Sequence, residues 1–147
     1  MRIRSTISAL VFLVTCFTQC FAHHMAVVVN KENPVGNVTS AHLAKILREE
    51  VRKWPDGKDV VLVLHRNSAG ETGTLQRLNK MSQSEWNAFL KSHKDSITFV
   101  DTDEDVLKTV QSDPRAVGLI DVRSINGTVT VVHVDGKLPM EIGYLPH

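Results

Sequence analysis

The chain has 147 residues, of which 42% are hydrophobic, and it carries 17 basic against 16 acidic side chains, for a formal net charge of +1. This length suits a single domain that buries a core of its own. Since there is no basic excess to hold a phosphodiester backbone, the composition argues against a nucleic-acid-binding protein.

The first 22 residues have the order of a secretory signal peptide. Arg2 and Arg4 precede an apolar run from residue 7 to about residue 17, and the small residue Ala22 follows it. This run is too short to span a bilayer. We therefore expect cleavage after Ala22, with a signal peptide over residues 1–22 and a mature domain over residues 23–147 in the periplasm or another extracytoplasmic space.

The expected cleavage changes the composition of the mature chain. Removing Arg2 and Arg4 leaves 15 basic residues against 16 acidic ones. Both cysteines, Cys16 and Cys20, leave with the signal, so the mature domain has no thiol. An anchored lipoprotein is the less favoured alternative, because Thr15 stands before Cys16 and Gln19 before Cys20, where such signals prefer small residues.

The first half of the mature chain alternates strand-like runs with helical periods, which is typical of an α/β domain. Residues 25–30 (MAVVVN) form a β-branched run that predicts a buried strand. Thr39 and Ser40 are capping residues before a helical period, which we expect to end near Trp54. Residues 60–65 (VVLVLH) predict a second buried strand, followed by a loop over residues 66–74 and a helix from Leu75.

The second half continues the same alternation. Ser82 and Glu85 form a capping box, so a helix begins there. A short strand over residues 97–100 precedes a helix with an acidic first turn after Thr102. Two more strands are expected over residues 116–121 and 128–134, joined by a tight hairpin turn at residues 126–127 (Asn-Gly). The tail after residue 139 looks like an appendage.

The loop over residues 66–74 is the segment with chemical content. A buried strand leads through it into a helix N-terminus, where unpaired backbone N–H groups and the helix dipole favour an anion. Arg66 adds a bidentate cationic donor. The small and hydroxyl-bearing residues that would approach or bind the anion are Ser68, Gly70, Thr72, Gly73 and Thr74. The alternative is that Thr72 or Thr74 only caps the helix while Arg66 is an exposed charge.

At this point the chain resembles the phosphate-binding proteins that serve ABC transporters. Arg66, a short Ser/Gly loop and Thr72-Gly73-Thr74 are similar to their Arg and Ser-Gly-Thr phosphate loop. The opening AVVVNKENPVGNVTSAHLAKIL, the stretch SDPRAVGLI and the final VDGKLP fit in the same order, so the likeness runs over about residues 25–139. The chain departs in a slightly longer loop, in Leu119 where the family has Tyr, and in lacking a second lobe and an opening Gly/Ser-rich loop.

The resemblance implies a fold and a ligand. The fold is a single lobe of the periplasmic-binding-protein-like (type II) class, α/β, with a mixed and mostly parallel sheet flanked by helices. The ligand is inorganic phosphate or a similar oxyanion, held by Arg66, Ser68, Gly70, Thr72, Gly73 and Thr74. A membrane transporter or sensor protein is the implied partner. The alternative is a non-catalytic interaction or structural protein that kept the fold and lost the ligand.

Other polar patterns in the sequence give weaker evidence of function. Five of the seven histidines show no metal-type spacing, and only a terminal His23-His24 pair suggests copper. The acidic run over residues 103–105 is best explained as a solvated helix start. Two Asn-X-Thr sequons matter only in a eukaryotic host. No catalytic arrangement of Ser, Cys, His and Asp is recognisable, so the sequence favours a binding protein without a cofactor or metal over an enzyme.

Overall fold

The computed structural model describes residues 24–146. The expected signal peptide, the cleavage point after Ala22 and His23 lie outside these described residues. The strands are β1 (Met25–Val29), β2 (Asn37–Val38), β3 (Val61–His65), β4 (Ile97–Val100), β5 (Ala116–Asp121), β6 (Thr130–Val131) and β7 (His133–Val134). The helices are α1 (Ser40–Leu47), α2 (Ala69–Asn79), α3 (Gln83–Ser92) and α4 (Asp103–Ser112), with a 3₁₀ turn at Val122–Ser124.

Five strands form the central sheet in the order β4-β3-β5-β1-β6, and β2 pairs with β7 beside it. Strand β3 is parallel to both β4 and β5, whereas β1 is antiparallel to β5 and β6. Four strands of the central sheet therefore point the same way and β1 alone runs against them. The prediction of an α/β fold with a mixed, mostly parallel sheet flanked by helices is confirmed.

The sheet separates two apolar layers. Side chains alternate across a strand, so Val27 and Val29 of β1 face one layer while Ala26 and Val28 face the other. Helices α1, α2 and α3 cover the first layer, and α4 covers the second. Because β3 and β5 are parallel, their carboxyl ends lie at the same edge of the sheet. The starts of α2 and α4 lie beside this edge.

Two predicted elements differ from the structure in the region of β6. The expected strand over residues 128–134 divides into β6 and β7, which belong to different sheets. The expected hairpin at residues 126–127 is also wrong, since β5 and β6 are not neighbours and instead flank β1 on opposite sides. A turn sequence favours a local pairing, but the buried strand β1 competes successfully for both edges.

The end of the first helix and the burial of the chain's tail also differ from the prediction. Helix α1 ends at Leu47 rather than near Trp54, and Glu49 just after it has a φ of 57°. Tyr144 and Leu145 are buried in the core, so the tail is not an appendage. The Tyr144 hydroxyl accepts a hydrogen bond from the Val27 N–H (3.1 Å) and donates one to the Val132 carbonyl (2.6 Å).

Within residues 24–146, none of the helices combines the length and the apolar character that crossing a bilayer requires.

Candidate functional site

The start of α2 differs from the sequence-based expectation. The helix begins at Ala69, not at Leu75, and the predicted loop is reduced to residues 66–68. Ser68 is the N-cap residue, and its hydroxyl oxygen accepts a hydrogen bond from the Glu71 N–H at 3.1 Å. Two glycines in the first two turns made this stretch resemble a loop, but burial of Glu71 and Leu75 holds it in the helix.

An open cleft of about 520 Å³ lies at the carboxyl edge of the sheet. The end of β3 and the first turn of α2 form one wall, and the end of β5 with the 3₁₀ turn forms the other. In open α/β folds this edge is where ligands bind. The lining residues are His65, Asn67, Ser68, Ala69, Gly70, Asp103, Asp121, Arg123 and Ser124.

The first turn of α2 supplies donors to this cleft. The N–H groups of Ala69 and Gly70 precede the first helical hydrogen bond, which runs from the Thr72 N–H to the Ser68 carbonyl. The structure gives these two groups no acceptor among the described residues. Because the Ser68 hydroxyl uses a lone pair to cap the helix, its hydrogen remains for another acceptor. The helix dipole also favours an anion at this end.

Asp103, the first residue of α4, holds the floor of the cleft together. Its Oδ1 lies 3.1 Å from the His65 Nδ1. Its Oδ2 accepts hydrogen bonds from the Asp121 N–H at 3.0 Å and from the Ser124 hydroxyl at 2.8 Å. Asp103 therefore connects the end of β3 to the end of β5. The expectation that this acidic helix start is merely solvated is wrong for Asp103.

The other acidic and basic residues of the cleft wall form a pair. Asp121 accepts hydrogen bonds from Arg123 at the Nε and at a terminal guanidinium nitrogen, each at 2.9 Å. The Arg123 side chain is 78% exposed while that of Asp121 is 18% exposed. The two charges largely compensate each other, so this wall adds little net field to the cleft.

Arg66 lies outside the cleft lining. Its guanidinium carbon is 5.5 Å from the centre of the Phe99 ring, a cation–π contact. Arg66 is exposed, and no hydrogen bond or ion pair of its guanidinium is found among the described residues. Together with Thr72, it lines a small neighbouring pocket of about 50 Å³ whose walls include Trp86 and Phe99.

The remaining predicted site residues lie further along α2. A Cβ on Gly73 would come within 3.3 Å of the Arg77 guanidinium, so this glycine gives room to an arginine side chain. Thr74 is only 1% exposed and belongs to the interior. The structure thus brings Ser68 and Gly70 to the cleft, places Arg66 and Thr72 at the adjoining pocket, and separates Gly73 and Thr74 from both.

Glu71 is a buried acid between the cleft and the small pocket. Its Oε2 accepts a hydrogen bond from the His65 N–H at 2.8 Å, whereas its Oε1 is buried without a partner. Burial raises the pKa of Glu71 well above its ordinary value; the His65 hydrogen bond opposes this and the nearby Asp103 charge adds to it. The carboxyl therefore keeps its proton to a higher pH than an exposed glutamate does.

Sequence reasoning missed His65, Asp103 and Asp121 as members of one site. Each lies at the end of a strand or the start of a helix on the same edge of the sheet, and that placement was the available signal. It needed the order of the strands, because β3 and β5 are neighbours only through a crossover. In the described residues no group of three or more His, Cys, Asp or Glu side chains could hold a metal ion.

A family model described as a PBP superfamily domain matches residues 21–140. No curated protein matches the sequence. The fold is similar to that of an ABC-type phosphate transport receptor from Vibrio cholerae, with a TM-score of 0.67 and 21% identity over 80% of this chain and 48% of that one.

Two other solved structures share the fold. A protein from Clostridium perfringens, assigned as a phosphate ABC transporter substrate-binding protein and solved with bound phosphate, has a TM-score of 0.65 and 22% identity over 79% of this chain and 46% of that one. PstS from Borrelia burgdorferi has a TM-score of 0.60 and 19% identity over 80% and 49%. The chain thus spans about half the length of the structures it matches.

Proposed function

Since the chain belongs to the PBP superfamily, we propose that it is an extracytoplasmic solute-binding domain that holds phosphate or a related oxyanion in the cleft at the start of α2. The observation that carries the proposal is the free N–H groups of Ala69 and Gly70 beside the Ser68 hydroxyl. Such donors at a helix N-terminus suit a tetrahedral oxyanion.

Arg66 is the residue that supplies charge in this proposal. Arg123 already has Asp121 as a bidentate partner, whereas within residues 24–146 the exposed Arg66 guanidinium has a contact with Phe99 and no hydrogen bond or ion pair. Arg66 is two positions before Ser68, and the proposal requires its guanidinium to leave Phe99 and turn toward the cleft when the anion binds. Direct ligand roles for Thr72, Gly73 and Thr74 remain predictions from the family resemblance, since these residues lie away from the cleft lining.

Calorimetric titration of the domain with phosphate, sulfate and arsenate tests the proposal. Because the cleft is open to solvent, we expect dissociation constants from the high micromolar to the millimolar range, which correspond to a binding free energy of roughly 4 to 6 kcal/mol. Charged hydrogen bonds contribute about 1.5 to 3 kcal/mol, so Arg66→Ala should weaken binding by about tenfold to a hundredfold. Arg52→Ala, at an exposed arginine after α1 that lines neither pocket, is the matched control and should bind like the unmodified domain. Phosphate binding that is undetectable at about 10 mM would reject the proposal.

The location and the partner follow from the same proposal. An extracytoplasmic domain needs export, which the signal-like residues 1–22 would provide, and intact-mass measurement of the protein from the cell envelope should give a chain that begins at His23. A binding domain without catalysis would pass its oxyanion to a membrane transporter or report it to a sensor protein. This role implies no nucleic acid and no cofactor.

A second candidate function is a non-catalytic interaction protein. The observation that favours it is a run of exposed apolar side chains after β7: Leu138 is 48% exposed, Met140 67% and Ile142 95%. Exposed apolar residues close together often mark protein contacts. This second function would replace the first under two conditions. The titrations would detect no anion binding, and substitution of these three residues by serine would stop the domain from binding a membrane protein with which it is isolated.

A further inference from the structure

One ring nitrogen of His65 has a hydrogen-bond partner, and the other has none among the described residues. Its Nδ1 lies 3.1 Å from the Asp103 Oδ1, and its side chain, 17% exposed, lines the cleft. No partner of the Nε2 is found among the described residues. His65 lines both this cleft and the small pocket beside it, so its open nitrogen lies in the same group of residues as the free N–H groups of α2.

The partners of Asp103 decide which nitrogen of His65 carries the hydrogen. The Asp103 Oδ2 accepts from the Asp121 N–H and the Ser124 hydroxyl. Since a carboxyl group is a stronger acid than an imidazolium, Asp103 is the carboxylate in its pair with His65. A carboxylate only accepts hydrogen bonds. The His65 Nδ1 must then donate, which leaves a bare lone pair on Nε2 in the neutral ring and an N–H there in the protonated ring.

We propose that His65 Nε2 is a further anion-binding group of this cleft, positioned by Asp103, and that it makes anion affinity rise as the ring gains a proton. The inference rests on the proposed oxyanion site and adds a proton linkage to it. In the neutral ring the Nε2 lone pair repels an oxyanion, whereas in the protonated ring the same atom donates a charged hydrogen bond. Anion binding and proton uptake thus favour each other.

The charged groups around His65 do not supply this linkage by themselves. Asp121 is compensated by Arg123, and Arg66 keeps its charge throughout the accessible pH range. Asp101 is exposed after β4. Glu71 is the group that needs separating from His65, because loss of its proton at higher pH also weakens anion binding.

The test is calorimetric titration with inorganic sulfate and with inorganic phosphate between about pH 5.5 and pH 8, the range in which imidazoles titrate. Sulfate carries no proton that titrates in this range. We expect affinity to fall about tenfold or more as the pH rises, the size of one charged hydrogen bond. The dependence should persist in Glu71→Gln and vanish in the double variant Glu71→Gln/His65→Gln. It should also persist in His42→Gln, the matched control on the exposed face of α1.

Asp103→Asn tests the positioning role through a readout that simple loosening would not give. The asparagine oxygen can take over the bonds from Asp121 and Ser124, and its NH₂ group then faces the His65 Nδ1. The neutral ring must now carry its hydrogen on Nε2. We expect nitrogen NMR of the histidine to show this exchange of tautomers, and sulfate binding to lose its pH dependence.

Three outcomes are distinguishable. A pH dependence that Glu71→Gln retains and the double variant Glu71→Gln/His65→Gln loses supports the inference, and its absence from Glu71→Gln overturns it. Binding with the same pH dependence in His65→Gln, or a neutral His65 with its hydrogen on Nε2 in the unmodified protein, overturns the inference and leaves the proposed function standing. Absence of phosphate and sulfate binding at every pH overturns both.

Discussion

At the residue scale, anion binding by the segment over residues 66–74 stays a prediction. The prediction required free N–H groups at the start of a helix. Among the described residues, Ala69 and Gly70 have such groups. The prediction missed the cap because Thr72 and Thr74 looked equally suitable, and only the burial of Glu71 and Thr74 decides in favour of Ser68. Residues that meet through the sheet, such as His65 and Asp103, are marked in the sequence only by their positions at the end of a strand or the start of a helix.

Glu71 gives a residue-scale prediction about pH. Its folded-state pKa is raised above the unfolded value, so the favourable contribution of the protonated acid is complete at low pH and is lost as the pH rises through the folded-state pKa. Glu71→Gln keeps an acceptor for the His65 N–H and removes the titration. We expect this variant to gain unfolding free energy relative to the unmodified domain at pH 8, by on the order of 1 kcal/mol or more, and to gain less at pH 5.

Urea unfolding at the two pH values measures this difference. Glu32→Gln is a useful comparison, because Glu32 is exposed in the turn after β1 and its carboxylate has no hydrogen bond or ion pair among the described residues. A gain of the same size at pH 5 and pH 8 in Glu71→Gln would contradict the assignment of a buried, protonated acid.

At the element scale, α4 packs on the sheet through a glycine. A Cβ on Gly118 of β5 would lie 2.7 Å from the Val106 Cγ1, closer than carbon atoms approach. Val106 and Val110 of α4 are fully buried there, so the helix cannot move away without opening the second apolar layer. The close contact between helix and sheet thus depends on the missing side chain.

Gly118→Ala should therefore lower the unfolding free energy by about 1 to 3 kcal/mol through overpacking. Gly127→Ala is the matched control, since nothing lies within 4 Å of a Cβ built there. Denaturant unfolding of both variants measures the effect. Equal stability of the two variants would mean that α4 adjusts without cost.

The elements themselves were predictable to different degrees. The strands β1, β3 and β5 and the capping box of α3 follow directly from apolar runs and from Ser82 with Glu85. The prediction of a hairpin at residues 126–127 was wrong because β1 pairs with both β5 and β6 and so separates them. The residues of β6 do not show that β1 is their partner. Boundaries failed where glycines obscured the start of α2.

At the scale of the whole molecule, the family resemblance found in the sequence is confirmed by the match over residues 21–140. Order of motifs, rather than any single motif, carried that prediction, because the arrangement of strands and helices is retained at about 20% identity. The family resemblance did not predict that Tyr144 is buried. One buried tyrosine near the end of the chain resembles a tail residue until its contacts with β1 and Val132 are known.

The Tyr144 hydroxyl joins the last segment of the chain to the first strand. Its burial raises the pKa to about 12, and Tyr144→Phe leaves the Val27 N–H and the Val132 carbonyl without this partner. We expect Tyr144→Phe to lower the unfolding free energy by about 1 to 3 kcal/mol, measured by denaturant unfolding. Ile142→Ala, on a side chain that is 95% exposed, should leave it unchanged.

The position of β1 between β5 and β6 also sets an order of events in time. A ribosome releases Met25–Val29 long before Asp121, its partner in the register, has been translated. Until then five consecutive apolar residues have no strand to pair with, which is the kind of segment that aggregates. The sheet can close only after synthesis has passed residue 131, so this core forms late, and slowly because its strand pairing is long-range.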